Sequence, residues 1–150
     1  MWDEATQKQF ATSRILALVL MVGAPIIYLI IAGALTNEQP EPAVIELLFY
    51  MLLVLSMVQP AMAFVVERFQ LNQFRSRSDT KMSIPQLLFT IGIIKYAMVE
   101  AVFIYGLVVF LVGHNLAYML YFYPIGAVWG FIHWPRRERW EKTIQSLERT

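Results

Sequence analysis

The chain of 150 residues has room for one domain, and its composition is unlike that of a soluble globular protein. Hydrophobic residues make up 58% and charged residues 15% of the sequence, whereas soluble domains have about 45–50% and about 25%. The sequence has no cysteine, which excludes disulfides, thiolate metal sites and a thiol nucleophile. The net charge of +1 argues neither for nor against nucleic acid, and we expect no such partner.

Long stretches with few or no charges separate the charged segments. A run of roughly 20 apolar residues can cross the hydrocarbon core of a bilayer as a helix. The sequence therefore predicts an all-α membrane protein, a single domain of four transmembrane helices in two hairpins, with spans at about residues 14–36, 43–67, 84–113 and 116–134. The first span ends in Ala32-Gly33-Ala34, which resembles a signal-peptide cleavage site. Its apolar core is longer than the usual ~7–15 residues, so we expect a retained, anchored helix.

The positions of lysine and arginine predict the orientation of these spans. Four such residues lie in 67–83 and five lie in 136–150, whereas 37–42 has none and contains two glutamates. We therefore expect a multi-pass protein of the bacterial inner membrane with both termini in the cytoplasm. An amphipathic helix at about 136–148 is expected along the cytoplasmic lipid headgroups or against a partner.

Several local signals predict helix boundaries and irregularities. Ser83 and Gln86 have the spacing of a capping box, which predicts that the third helix begins directly after Ser83. Pro25 and Pro60 lie inside apolar runs, where proline is expected to kink a helix and release a backbone carbonyl. In a bilayer such a carbonyl needs a partner from protein or water.

Glu100 lies near the middle of the third apolar run. An ionised carboxylate at that depth costs several kcal/mol, so the group is expected to be neutral, paired or functional. Two interpretations stay open: a polar contact between helices, worth about 1 kcal/mol, or a carrier of a proton or cation. Tyr96 lies four residues earlier on the same face and is expected to donate a hydrogen bond to the carboxylate.

Lys95 is the other charged residue in this run. It lies five residues before Glu100, about 140° around the helix, so the two side chains are expected on different faces. Lys95 is therefore expected to reach toward the cytoplasmic interface, or to meet an acid on another helix or subunit.

The segment Glu100-Ala-Val-Phe-Ile-Tyr-Gly-Leu-Val-Val109 resembles the ion-carrying helix of the proteolipid, or c, subunit of rotary ATP synthases and vacuolar-type ATPases. The resemblance implies that Glu100 is an ion-binding carboxylate, that Tyr105 belongs to the same motif, and that the second and third spans form a hairpin with a basic cytoplasmic loop. Two features depart from the family pattern. The second span has no glycine, whereas the family's partner helix is rich in glycine, and Lys95 has no counterpart.

The remaining patterns indicate packing rather than chemistry. Gly126 and Gly130 have the spacing that permits close helix approach, and with Gly106 they are the predicted packing glycines. His133, beside the basic tail, is expected to be solvated or interfacial. The similarity of 21–28 to 98–105 raises the possibility of an internal repeat, which stays open. No catalytic constellation, metal-ligand cluster or cofactor motif is present in the sequence.

These patterns predict a small, non-enzymatic integral subunit of a larger bacterial membrane complex, with membrane lipid and other membrane subunits as partners. The alternative is a c-like homo-oligomer that moves protons or sodium through Glu100, with Tyr96 and Tyr105 near the ion. A single-chain solute transporter is a third interpretation, which the scarcity of polar residues in the spans disfavours.

Overall fold

The structure, a computed structural model, describes residues 2–35, 45–76 and 82–148. These residues are almost entirely helical and include no strand, which confirms the all-α prediction. A π-helical stretch, Val19–Gly23, joins the first two helices. The helices are α1 (Glu4–Leu18), α2 (Ala24–Ala34), α3 (Ile45–Ser76), α4 (Ile84–Gly113), α5 (Leu116–Leu120), α6 (Phe122–His133) and α7 (Arg137–Glu148).

Three helical segments of the described chain are long and apolar enough to cross a membrane: Glu4–Ala34, Ile45–Ser76 and Ile84–Gly113. The predicted fourth span corresponds to α5 and α6, which are separated by a turn at Tyr121 and are individually short. The fourth span and the orientation therefore stay predictions. The predicted start of the second span near residue 43 and part of the basic connection, 77–81, lie outside the described residues.

The structure corrects two predicted boundaries. The first helix begins at Glu4 rather than near residue 14, and α3 continues to Ser76 rather than ending near residue 67. Both extensions are polar, but neither contains a glycine or proline, and most of their residues are tolerated in helices. Helices can thus extend beyond their apolar runs, so hydropathy alone placed the start of the first helix too late and the end of α3 too early.

Helix α4 is at the centre of the fold, and α3 packs along it in the antiparallel direction. Ile45 at the start of α3 packs against Gly113 at the end of α4. Near the other end, Glu67 of α3 contacts Lys95 of α4. These contacts show that α3 and α4 pack as an antiparallel pair.

The other long elements cover two further sides of α4. The α1–α2 helix runs parallel to α4, because Ser13 contacts Tyr96 and Tyr28 contacts Glu100 in the same chain order. The α5–α6 segment runs antiparallel, because Phe122 lies against Gly106 near the start of α6 and Gly130 lies near Val99 at its end.

Caps define several helix ends. The Ser83–Gln86 capping box is present, which confirms that prediction. Asp3 caps α1, and the hydrogen bonds that it accepts from Thr6 hold the pKa of the Asp3 carboxyl below its ordinary value. His114 ends α4 in the left-handed region at φ 48°, and Asn115 then caps α5. The chain reverses within two residues at this point.

The C-terminal helix α7 folds back onto one end of the bundle. Its Trp140 packs edge-on against Phe10 with ring centroids 5.3 Å apart, and its Leu147 joins a cluster with Leu87 and Ile91 of α4. The apolar face of α7 is therefore used within the chain, and its exposed face is polar.

Candidate functional site

The Glu100 carboxylate accepts a hydrogen bond from Tyr28 of α2, with 2.9 Å between Tyr28 Oη and Glu100 Oε1. The expected donor, Tyr96, is elsewhere: its hydroxyl lies 2.7 Å from Ser13 Oγ of α1. Tyr96 is fully buried in the seam between α1 and α4, and Ser13 satisfies it there. Although Tyr96 lies four residues before Glu100 on the same helix, the two side chains do not meet, and Tyr28 is the donor instead.

Glu100 lies at the edge of an uncovered strip of α4. Residues spaced three or four apart along this strip are exposed or partly exposed, and α4 is covered on its other sides by α1–α2, α3 and α5–α6. We call this surface the open stripe; it consists of Ile93, Ala97, Glu100, Ile104, Val108 and Leu111. Because Tyr28 contacts Glu100, the carboxylate borders the α2 side of the stripe.

A second polar pair lies farther around α4, where α4 meets α3. The Tyr105 hydroxyl donates a hydrogen bond to the side-chain carbonyl of Gln59. By helical geometry Tyr105 is about 140° around the helix from Glu100. The structure therefore places these two candidate ion-binding residues on different seams of α4, and each contacts its own partner.

Lys95 forms an ion pair with Glu67 of α3, with 2.6 Å between Lys95 Nζ and Glu67 Oε2. The sequence analysis expected Lys95 either to reach the interface or to meet an acid on another helix or subunit. The structure shows the second arrangement, with the acid on another helix of the same chain. Lys95 therefore does not depend on another subunit for its counter-ion, and it is not the charge partner of Glu100.

His133 is buried, which excludes the solvated one of the two positions expected for it, whereas the interfacial one stays a prediction. Its ring is stacked on Trp129 at an interplanar angle of 11°, and its Nε2 lies 3.1 Å from the Pro60 carbonyl oxygen. The reason is local: α6 packs beside the proline of α3, so the ring at the end of α6 turns inward to that carbonyl. Tyr123 likewise donates to the carbonyl oxygen of Pro25, at 2.8 Å. Both contacts are to the carbonyls of the prolines themselves, whereas the carbonyl that a proline leaves without its helical donor lies four residues earlier.

The three predicted packing glycines, Gly106, Gly126 and Gly130, lie where α4 meets the α5–α6 segment. A Cβ atom at Gly126 would overlap the ring of Phe103, and one at Gly106 would lie 3.0 Å from the Met119 carbonyl oxygen. At Gly130 the nearest atoms would be at ordinary contact distance, 3.7 Å or more. Gly126 and Gly106 are therefore required by the close approach, whereas Gly130 is not.

Four residues of these pairs were missed by the sequence interpretation: Ser13, Tyr28, Gln59 and Glu67. All four are polar residues in or at the end of an apolar run, where an unpartnered polar group is costly. Searching each run for such residues would have found them as candidates, although not their partners. Among the described residues no three His, Asp or Glu side chains are placed to hold a metal ion.

A comparison of the chain with protein-family models, with curated proteins and with solved structures found no match. The described residues therefore define only a class of protein: a helical protein with three helices long and apolar enough to cross a membrane, the third of which carries a partly buried acid, Glu100. The likeness of the Glu100 segment to the c subunit stays a hypothesis.

Proposed function

We propose that the protein is a non-enzymatic integral subunit of a larger bacterial membrane complex, and that the open stripe of α4 binds a helix of a partner subunit. The observation that carries the proposal is the position of Glu100. Its carboxylate borders an uncovered apolar surface at membrane depth and has one hydrogen-bond donor, Tyr28, within the described chain.

The physical argument concerns the unused capacity of the carboxylate. An ionised carboxylate has two oxygens and about four acceptor positions, and Tyr28 occupies one of them. Leaving the rest toward hydrocarbon is unfavourable. A partner helix with a hydroxyl, amide or basic side chain would supply the missing donors, and Ala97 on the same stripe leaves room for its backbone to approach.

The test is purification from native membranes in mild detergent, followed by identification of what remains bound. Glu100→Leu removes the carboxylate and Ala97→Trp blocks the stripe, so each is expected to release a membrane partner. Glu46→Leu is the matched control, because Glu46 is an exposed acid at the start of α3 and does not belong to the stripe. A chain that purifies alone, or a partner that all three variants retain, would contradict the proposal.

The second candidate is a c-like homo-oligomer that carries protons or sodium on Glu100. It is supported by the same edge position, since a shared surface between identical protomers would also place Glu100 between helices. Carbodiimide reacts with protonated carboxyl groups in membranes and provides the test. This candidate predicts pH-dependent labelling at Glu100 and lower proton permeability in Glu100→Gln, with Glu46→Gln as control. Absence of both effects would exclude it.

A further inference from the structure

A surface groove runs between the helical segment Glu4–Ala34 and α6. Its first section, of about 340 Å³, lies at the end of the bundle where α7 packs and is lined by Ala11, Arg14, Ile15, Leu18 and Trp134. Its second section, of about 430 Å³, lies farther along the helices, and its walls include Val22, Pro25, Leu29, Tyr123 and Ala127. Of the described residues of α4, only Phe103 lines it, so the groove is separate from the open stripe.

The two sections lie along one face of each helix. On the first segment the lining residues recur at spacings of three and four, which is the repeat of one helix face: Arg14, Leu18, Val22, Pro25 and Leu29. On the other wall, Tyr123 and Ala127 are four apart and Trp134 follows seven residues later. Leu18 ends the first section and Val22 begins the second one turn later, so the two sections adjoin.

The length of the groove corresponds to one leaflet of a bilayer. Arg14 is the last charged residue before the uncharged run 15–35, which places it at the boundary between headgroups and hydrocarbon. At a rise of about 1.5 Å per residue, Pro25 lies about 16 Å farther along the helix. The hydrocarbon core is about 30 Å thick. A lipid chain that begins at Arg14 would therefore reach the middle of the bilayer at Pro25.

The charge at the mouth of the groove has no counter-charge. Arg14 is exposed and has no ion pair or hydrogen bond with any residue that the structure describes. The acids of α1 nearest to it, Asp3 and Glu4, lie more than two turns away along the helix. Exposure is what a headgroup needs, because it reaches the guanidinium from the surface of the membrane. An arginine in this position attracts an anionic headgroup and can bind its phosphate through two hydrogen bonds.

We propose that this groove binds one phospholipid with an anionic headgroup, from the leaflet on the α7 side of the bundle. Arg14 binds the phosphate, and Trp134 packs beside it at the interface, where tryptophan is common. One acyl chain follows the apolar face from Ile15 to Leu29. The bilayer itself supplies this ligand, and the unpaired cation at the mouth distinguishes the groove from the rest of the lipid-facing surface.

The headgroup is tested by native mass spectrometry of the full chain in detergent, titrated with phosphatidylglycerol or phosphatidylcholine of identical acyl chains. We expect one lipid to be retained, with phosphatidylglycerol bound about fivefold more tightly. Arg14→Gln is expected to remove this preference. Arg68→Gln is the matched control, because Arg68 is an exposed arginine of α3 outside the groove. It lies at nearly the same level, next to the Glu67–Lys95 contact, and is expected to keep the preference.

The acyl chain is tested by filling the groove. Ala127 and Val128 are neighbouring exposed residues of α6, and only Ala127 lines the groove. Ala127→Phe is expected to weaken the binding of both lipids about tenfold, the loss expected when about two methylene groups are no longer buried. Val128→Phe is expected to leave binding unchanged within about twofold. Both positions face outward, so both variants are expected to fold.

A photocrosslink in native membranes distinguishes the lipid from a partner helix. Ile15 is 65% exposed and lines the first section, and a benzophenone side chain there is expected to form an adduct with an anionic phospholipid. A protein adduct at this position would overturn the proposal. So would equal affinity of the unmodified chain for the two lipids, equal effects of Arg14→Gln and Arg68→Gln, or equal effects of Ala127→Phe and Val128→Phe.

Discussion

Polar side chains inside the apolar helices of this protein occur mostly as pairs that join two helices. Ser13 meets Tyr96, Tyr28 meets Glu100, Gln59 meets Tyr105, and Glu67 meets Lys95. Because α4 contributes one member of each pair, these contacts fix the rotation of α4 relative to the helices around it. In hydrocarbon each pair avoids the cost of a polar group without a partner, which is the physical reason for the pairing.

The Glu67–Lys95 pair gives a prediction at the residue scale. Lys95→Met leaves a partly buried carboxylate without its counter-ion and is expected to lower the free energy of unfolding by about 1–3 kcal/mol. The double variant Glu67→Gln with Lys95→Met removes both charges and is expected to recover most of that loss. Denaturant unfolding in nanodiscs measures both. Additive losses in the double variant would show that the pair does not stabilise the fold.

The important polar residues were easier to predict from the sequence than the residues that they contact. Glu100 and Lys95 stand out because charges are rare in apolar runs. Their partners lie 72 and 28 residues away, and only helix packing brings them together. The burial of His133 was missed for the same reason, since its partner is a backbone carbonyl that local sequence does not reveal.

At the scale of helices, α4 and α6 approach each other through glycine, which gives a matched pair of variants. Gly126→Ala places a Cβ in the ring of Phe103 and is expected to lower the free energy of unfolding by about 1–3 kcal/mol. Gly130→Ala meets atoms only at contact distance and is expected to change stability by at most about 0.5 kcal/mol, or to raise it slightly. Equal effects in an unfolding experiment would contradict this packing.

The spacing of Gly126 and Gly130 predicted a packing face without showing that only Gly126 is tightly packed.

Helix ends also include one that the sequence predicted correctly and one that it did not. The capping box at Ser83 was readable because its two hydrogen bonds are local. The extension of α3 to Ser76 was not, because hydropathy marks the edge of the apolar run and not the end of the helix. Local chemistry is thus recoverable from sequence, whereas packing partners depend on the whole fold.

At the scale of the molecule, the proposed four-span arrangement predicts which positions face the same side of a membrane. The chain has no cysteine, so single introduced cysteines report accessibility without background. Lys8→Cys and Lys142→Cys are expected to react from the cytoplasmic side, and Leu35→Cys from the opposite side. Labelling with a membrane-impermeant maleimide in oriented vesicles measures this. Reaction of Lys8→Cys and Lys142→Cys from opposite sides would show that α5 and α6 do not span together.

The proposed function depends on what covers the open stripe, and site-specific photocrosslinking in native membranes measures that directly. A benzophenone side chain at Ile104 lies on the stripe, and one at Val54 lies on an exposed part of α3 that is outside it. We predict a discrete protein adduct from Ile104 that Glu100→Leu abolishes, with lipid adducts alone from Val54. Lipid adducts alone from both positions, in membranes that contain the assembled chain, would contradict the existence of a partner helix beside Glu100.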